Sequence, residues 1–226
     1  MIKIKLFTII ILSLIVSSCT GQKSQNVIKS ISSEKKLEDN KHNTSNTENL
    51  VLNSDINHQI SQVVRTIFQD SKGDIWFGGE GGVFRYSISS LTQIDSIRSK
   101  SGKRVTVKDI AEDNDGKIWI GHTDGVSSVE GEKVTNYYES DGLLSNDVWS
   151  IATDRNNRVW IGTIKGLCFF NGQEFTNFRL PEGKIDSSLG ISSTKMIHNI
   201  FEDSTGTLWF SSNAGLFSYG NDSLIN

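Results

Sequence analysis

Asp113-Asn114-Asp115-Gly116-Lys117-Ile118-Trp119-Ile120-Gly121, followed four residues on by Gly125-Val126, is a stretch that the chain writes four times. It recurs around Asp70, Trp76, Gly78 and Gly82-Val83, around Asp154, Trp160, Gly162 and Gly166-Leu167, and around Asp203, Trp209, Ser211 and Gly215-Leu216. The tryptophans Trp76, Trp119, Trp160 and Trp209 are spaced 43, 41 and 49 residues apart, and the aspartates keep the same steps. A period of this size belongs to a whole supersecondary unit.

Each unit reads as a set of strands. The aspartate opens a tight hairpin whose fourth position needs a residue tolerant of positive φ, and Gly73, Gly116, Asn157 and Gly206 stand there. A β-rich run such as Ile118-Trp119-Ile120-Gly121 follows, then a turn ending in glycine, a third strand, a further turn such as Asn171-Gly172, and a fourth strand. Ahead of the aspartate lies a first strand with apolar residues spaced by three, as in Val107 and Ile110; that breaks strict alternation and predicts a bulge. Four antiparallel strands in about 40 to 45 residues make a β-propeller blade. The fold expected is therefore all-β, with blades over about 60–94, 105–137, 146–178 and 195–226 inside a domain 50–226.

The run Val148-Trp149-Ser150-Ile151-Ala152-Thr153-Asp154, through Val159-Trp160-Ile161-Gly162-Thr163 to Gly166-Leu167, resembles the two-component regulator propeller repeat. The resemblance covers roughly residues 55–226. It implies a module like the periplasmic sensor regions of bacterial hybrid two-component proteins, many of which respond to polysaccharide breakdown products. The sequence departs from that family's sensors in having four repeats rather than many, and no kinase or receiver pattern.

The N-terminus begins Met1-Ile2-Lys3-Ile4-Lys5, continues as an apolar run from Leu6 to Val16, and ends Val16-Ser17-Ser18-Cys19. That run is too short to span a bilayer and resembles a lipoprotein signal over 1–18, with Cys19 as the lipidated residue. Membrane attachment by several acyl chains would be stable, and Thr20 in place of aspartate favours the outer membrane. Residues 19–49 are mostly Ser, Asn, Lys, Glu, Thr and Gln, too polar to form a core, and read as a tether reaching on the order of 30 Å.

The chain has 23 Lys and Arg against 26 Asp and Glu, and the signal removes only Lys3 and Lys5 from the basic side. No basic stripe remains, which excludes nucleic acid as a partner. Cys168, on a third strand, reads as a small buried hydrophobe. No metal-ligand spacing and no phosphate-cradling loop are present, so no cofactor and no catalytic residue are expected. The repeated tryptophans read as blade packing and the repeated aspartates as turn formers.

Two irregularities point to a site. The spacing varies only between one unit's fourth strand and the next unit's first, and those connections share a channel mouth with the second-to-third-strand loops. On the first strand, two positions differ in every blade: Arg65-Thr66, Lys108-Asp109, Trp149-Ser150 and His198-Asn199. Arg65, Lys108, Asp109, Trp149, His198 and Asn199 are the candidate ligand-binding residues, with Trp149 an aromatic platform and His122 a neighbour for His198 at the mouth. An oligosaccharide or a protein partner fits such a site. The competing readings are a propeller lyase, since antibiotic-lyase propellers share similar repeats, and a truncated sensor without activity of its own.

Closure has two solutions. Leu50-Val51-Leu52 reads as an orphan fourth strand that could clasp the last blade and close a four-bladed ring. Otherwise the blades form an open arc whose ends associate with another copy or a second propeller chain.

Overall fold

The computed structural model describes residues 60–226. The expectations for the signal, Cys19, the tether and the Leu50–Leu52 clasp lie outside the described residues.

Among the described residues, sixteen strands form four separate four-stranded sheets. The first blade is β1 (Val64–Gln69), β2 (Ile75–Gly79), β3 (Gly82–Ser87) and β4 (Ser90–Gln93). The second is β5 (Val107–Glu112), β6 (Ile118–His122), β7 (Gly125–Glu130) and β8 (Lys133–Tyr137). The third is β9 (Val148–Thr153), β10 (Val159–Thr163), β11 (Gly166–Phe170) and β12 (Phe175–Phe178), and the fourth is β13 (Ile197–Glu202), β14 (Leu208–Ser212), β15 (Gly215–Gly220) and β16 (Ser223–Ile225). Each sheet is an antiparallel meander in chain order.

The repeated aspartate does two jobs. In the second blade Asp113 Oδ1 accepts the backbone N–H groups of Asp115 and Lys117, at 3.1 and 3.0 Å, which closes the hairpin. Its Oδ2 accepts Trp119 Nε1–H at 2.8 Å, giving the buried indole its one required partner. The other blades repeat this indole bond from Trp76 to Asp70, Trp160 to Asp154 and Trp209 to Asp203. The fourth turn position has positive φ in every blade, including Asn157 at 59°.

The expected bulge is present in all four blades. The pairing of the first and second strands slips between Val64 and Thr66, between Val107 and Asp109, opposite Gly162 and Thr163, and between Ile197 and Asn199. The extra residues are Arg65, Lys108, Trp149 and His198.

The cores lie between blades. Trp76 and Val83 pack on Val107, Ile110, Ile118 and Ile120; Trp119 and Val126 pack on Val148, Ile151, Val159 and Ile161. Trp160 and Leu167 pack on Ile197, Ile200, Leu208 and Phe210. Trp76, Trp119 and Trp160 therefore face the following blade. Gly78, Gly121 and Gly162 allow this approach, because a Cβ there would overlap Val107, Val148 and Ile197. Innermost strands pack in series, β1 on β5, β5 on β9 and β9 on β13. Among the described residues, four blades and three cores make an open arc: on the fourth blade Phe201, Trp209 and Leu216 are exposed, and on the first so are Val64 and Ile67.

Candidate ligand-binding site

A bulge leaves its extra residue outside the ladder and re-aims the side chain. The four positions that differ from blade to blade are those extra residues, so the scaffold holds them without dictating their chemistry. Two of them bond to the residue 15 positions on, at the start of the second-to-third-strand turn of their own blade. Arg65 Nη2 lies 2.9 Å from Glu80 Oε1, and His198 Nε2 lies 2.6 Å from Asn213 Oδ1. Lys108 instead reaches forward, with Nζ 2.7 Å from Asp147 Oδ1 and 3.5 Å from the centre of the Trp149 ring. The Trp149 indole is partly exposed although its strand is otherwise well packed.

Between β9 and β13 this line opens into a groove of about 700 Å³. Trp149 and His198 form its floor, Ile164 and Asn213 one wall, and Leu189, Ile191 and Met196 the other. The second wall belongs to the connection from β12 to β13. Ser193 Oγ fastens it by donating to the Ile164 carbonyl at 2.6 Å, and the Asn213 N–H donates to the Met196 carbonyl at 3.1 Å. The long connection and the second-to-third-strand turns thus share one face. A cavity of about 390 Å³ near Lys165 and Lys195 is less suited to a ligand, since those ammonium groups pair with Glu139 and Glu182 at 2.9 Å.

The structure brings Trp149 and His198 into the groove, sets Lys108 against the Trp149 ring outside the groove lining, and leaves Arg65 two blades away. Asp109 plays a different part: its Oδ2 accepts the Ile151 N–H at 2.9 Å and the Ser150 hydroxyl at 3.1 Å, tying the second blade to the third. Burial pushes its carboxyl above the usual carboxylate range, against these bonds. Ser150 Oγ in turn accepts the Ile200 N–H at 3.2 Å. Asn199 holds the same place on the fourth blade and is exposed. At Asp109 and Ser150 the second variable position is therefore a tie between blades, and the first position is the one that can meet a ligand.

His122 does not join the mouth. It is fully buried, with Nδ1 accepting the Asp124 N–H at 3.2 Å and Nε2 3.0 Å from Ser127 Oγ, so the ring is neutral and protonated on Nε2. Desolvation pulls its pKa down to about 4. Thr163 and Ser212 hold the same slot and accept the same turn N–H, from Lys165 and Ala214, so this histidine is a turn residue. Cys168 is buried as expected, and desolvation pushes its thiol up to about 11. Asp147, Asn213 and the 189–191 lip were not singled out by the sequence. The turn position itself, Glu80, Thr123, Ile164 and Asn213, also differs in every blade, and that variation was the available signal. Among the described residues no group of three or more His, Cys, Asp or Glu side chains is placed to hold a metal ion.

The model of the two component regulator propeller matches the chain four times, at residues 58–81, 99–124, 142–165 and 190–214. Among solved structures, the extracellular domain of a protein described as a hybrid two component system from B. thetaiotaomicron is 29% identical, with a TM-score of 0.58 over 73% of this chain and 23% of that one. Virginiamycin B lyase from Staphylococcus aureus with quinupristin is 16% identical, with a TM-score of 0.53 over 72% of this chain and 54% of the lyase. The WD40 propeller domain of Doa1 is 15% identical at a TM-score of 0.52, over 69% of this chain and 49% of that one. The chain thus spans about a quarter of the first relative and about half of the other two. No curated protein matches it.

Proposed function

With four two component regulator propeller repeats as its scaffold, we propose that the chain is an extracytoplasmic sensor-type module whose ligand, of carbohydrate class, lies in the groove over Trp149. The observation that carries this is the side-chain set at the bulges. A partly open indole, an imidazole and the amide of Asn213 face one groove, supplying a flat apolar surface with polar groups beside it. A sugar ring presents that combination, with C–H groups on its face and hydroxyls at its edge. The likeness to the extracellular domain of a hybrid two component system supports the extracytoplasmic location and the sensor-type module, and the likeness to the lyase is one of fold alone. Attachment through a lipidated Cys19 belongs to the same proposal. It predicts palmitate label on the wild-type chain and none on Cys19→Ala.

Binding is tested by a glycan array on the whole chain, followed by calorimetry with the best oligosaccharide. Trp149→Ala and His198→Ala should each weaken binding at least tenfold with the melting temperature nearly unchanged, and Arg65→Ala should leave affinity as it was. Equal affinity in all three variants would put the ligand elsewhere.

A further inference from the structure

The two open ends of the arc are the two halves of an interface that the molecule already makes three times. The slot of Val64 is buried in every later blade, as Val107, Val148 and Ile197, yet Val64 is 42% exposed. Ile67 is 67% exposed where Ile110, Ile151 and Ile200 are buried. At the other end Leu216 is 56% exposed where Val83, Val126 and Leu167 are buried.

The polar ties match as well. Asp109 and Ser150 each accept the N–H of the isoleucine on the following blade, from Ile151 and Ile200. Asn199 is the corresponding acceptor on the fourth blade, and Ile67 the corresponding donor on the first. At the outer turn, Ser71 donates its N–H and hydroxyl to Glu112 on the next blade, at 2.7 and 2.6 Å. Arg155 donates its N–H to Glu202 at 3.2 Å. Ser204 holds the place of Ser71, and Gln69 the place of Glu112 and Glu202, so the same bond is available between the two ends.

We infer that two copies of this chain pair head to tail, the fourth blade of each on the first blade of the other, into a ring of eight blades. Eight lies within the usual range of propellers. A head-to-tail contact repeats until it closes, and closing at two buries both open faces for a single association. One slot is imperfect. Ser211 stands where Gly78, Gly121 and Gly162 admit the neighbouring strand, so the seam between copies is wider than the internal ones and the pairing is reversible. The inference does not depend on what the groove binds.

Light scattering on the whole chain in a mild detergent, counting protein mass alone, tests it. Twice the chain mass is expected at micromolar concentration. Ile67→Asp and Leu216→Asp sit on opposite, solvent-exposed faces, so each should fold and each alone should give a monomer. Mixing the two should restore dimers, because one sound face of each kind remains. Ser211→Gly should tighten the pair severalfold. A wild-type monomer, whether its faces are bare or covered by its own N-terminal residues, overturns the inference, and so does an assembly larger than two. A dimer lost in only one of the two aspartate variants would mean like faces meet, which also overturns it.

Discussion

The third and fourth blades hold the same tryptophan on the same aspartate, yet only one of the two indoles is out of water. Trp160 Nε1 donates to Asp154 at 2.8 Å and Trp209 Nε1 to Asp203 at 2.9 Å. Trp160 is 0% exposed and Trp209 38%, because the fourth blade lies over the former and no described residue lies over the latter. A blade therefore encodes half of each core it borders, and its stability is lent by its neighbour. Repeat proteins behave this way, with stability set by units and the interfaces between them.

The largest effect expected follows from that contrast. Trp160→Ala empties a site closed on all sides and should cost about 3–5 kcal/mol. Trp209→Ala removes a ring that already meets water and should cost roughly a third as much. Urea unfolding of the two variants measures the difference, with similar m-values required for the comparison. Equal losses would mean that the following blade contributes little to the slot.

His122 sharpens the contrast between blades in a second way, since Thr163 and Ser212 fill its slot with groups that do not titrate. Its folded-state pKa of about 4 lies below the ordinary value of 6.5, so the fold prefers the neutral ring. That preference is fully present above the unfolded pKa and is lost as pH falls from 6.5 through 4, by about 3 kcal/mol in all. Melting temperatures taken from pH 7 to pH 4 should fall more steeply for the wild type than for His122→Thr. Parallel curves would show that the imidazole charges without cost.

Asp113→Asn should come next, at about 2 kcal/mol. The amide keeps an oxygen for the turn but turns an N–H towards Trp119 Nε1–H, leaving a buried donor without an acceptor. The matching Asp203→Asn should cost less, because water can satisfy the exposed Trp209 indole. Asp203 does hold its charge firmly: bonds from the Thr205 hydroxyl, the Trp209 indole and the Thr207 N–H keep its carboxyl far below the usual range. Equal losses for the two asparagine variants, read by urea unfolding, would show that burial of the indole is irrelevant to the bond.

Much of this was legible in the sequence. The blade, its strand order, the positive φ of Asn157 and the bulge all follow from local patterns repeated at one period, and repetition separates scaffold residues from free ones. The tie between aspartate and tryptophan was not, because a six-residue spacing across a hairpin says nothing of which side chains converge until register is known. The same limit left both members of each variable pair in one set of candidates. Lys108 and Asp109 are neighbours in sequence, but the bulge sends the first onto the Trp149 ring and Asp147 and the second into the seam between blades. His122 was misplaced for a related reason, since an imidazole in a turn can cap backbone as a threonine does.

The smallest effect expected concerns Asn157. On φ alone, glycine should be neutral or mildly stabilising there, because the position is left-handed at 59° and glycine enters that region freely. The side chain alters the balance. Asn157 Oδ1 accepts the Asn114 N–H at 2.8 Å, and its amide donates to Asp115 Oδ2 at 2.6 Å, both across the seam between the second and third blades. These bonds are exposed, so losing them costs far less than a buried pair would, on the order of 0.5 kcal/mol net of the relief in φ. Asn157→Gly should therefore lower stability slightly in urea, whereas Gly73→Asn in the first blade changes φ strain at a place with nothing within 4 Å of an added Cβ. A stabilised Asn157→Gly protein would show that backbone strain outweighs the bonds across the seam, and that the third blade's turn is tuned by its own geometry and not by its neighbour.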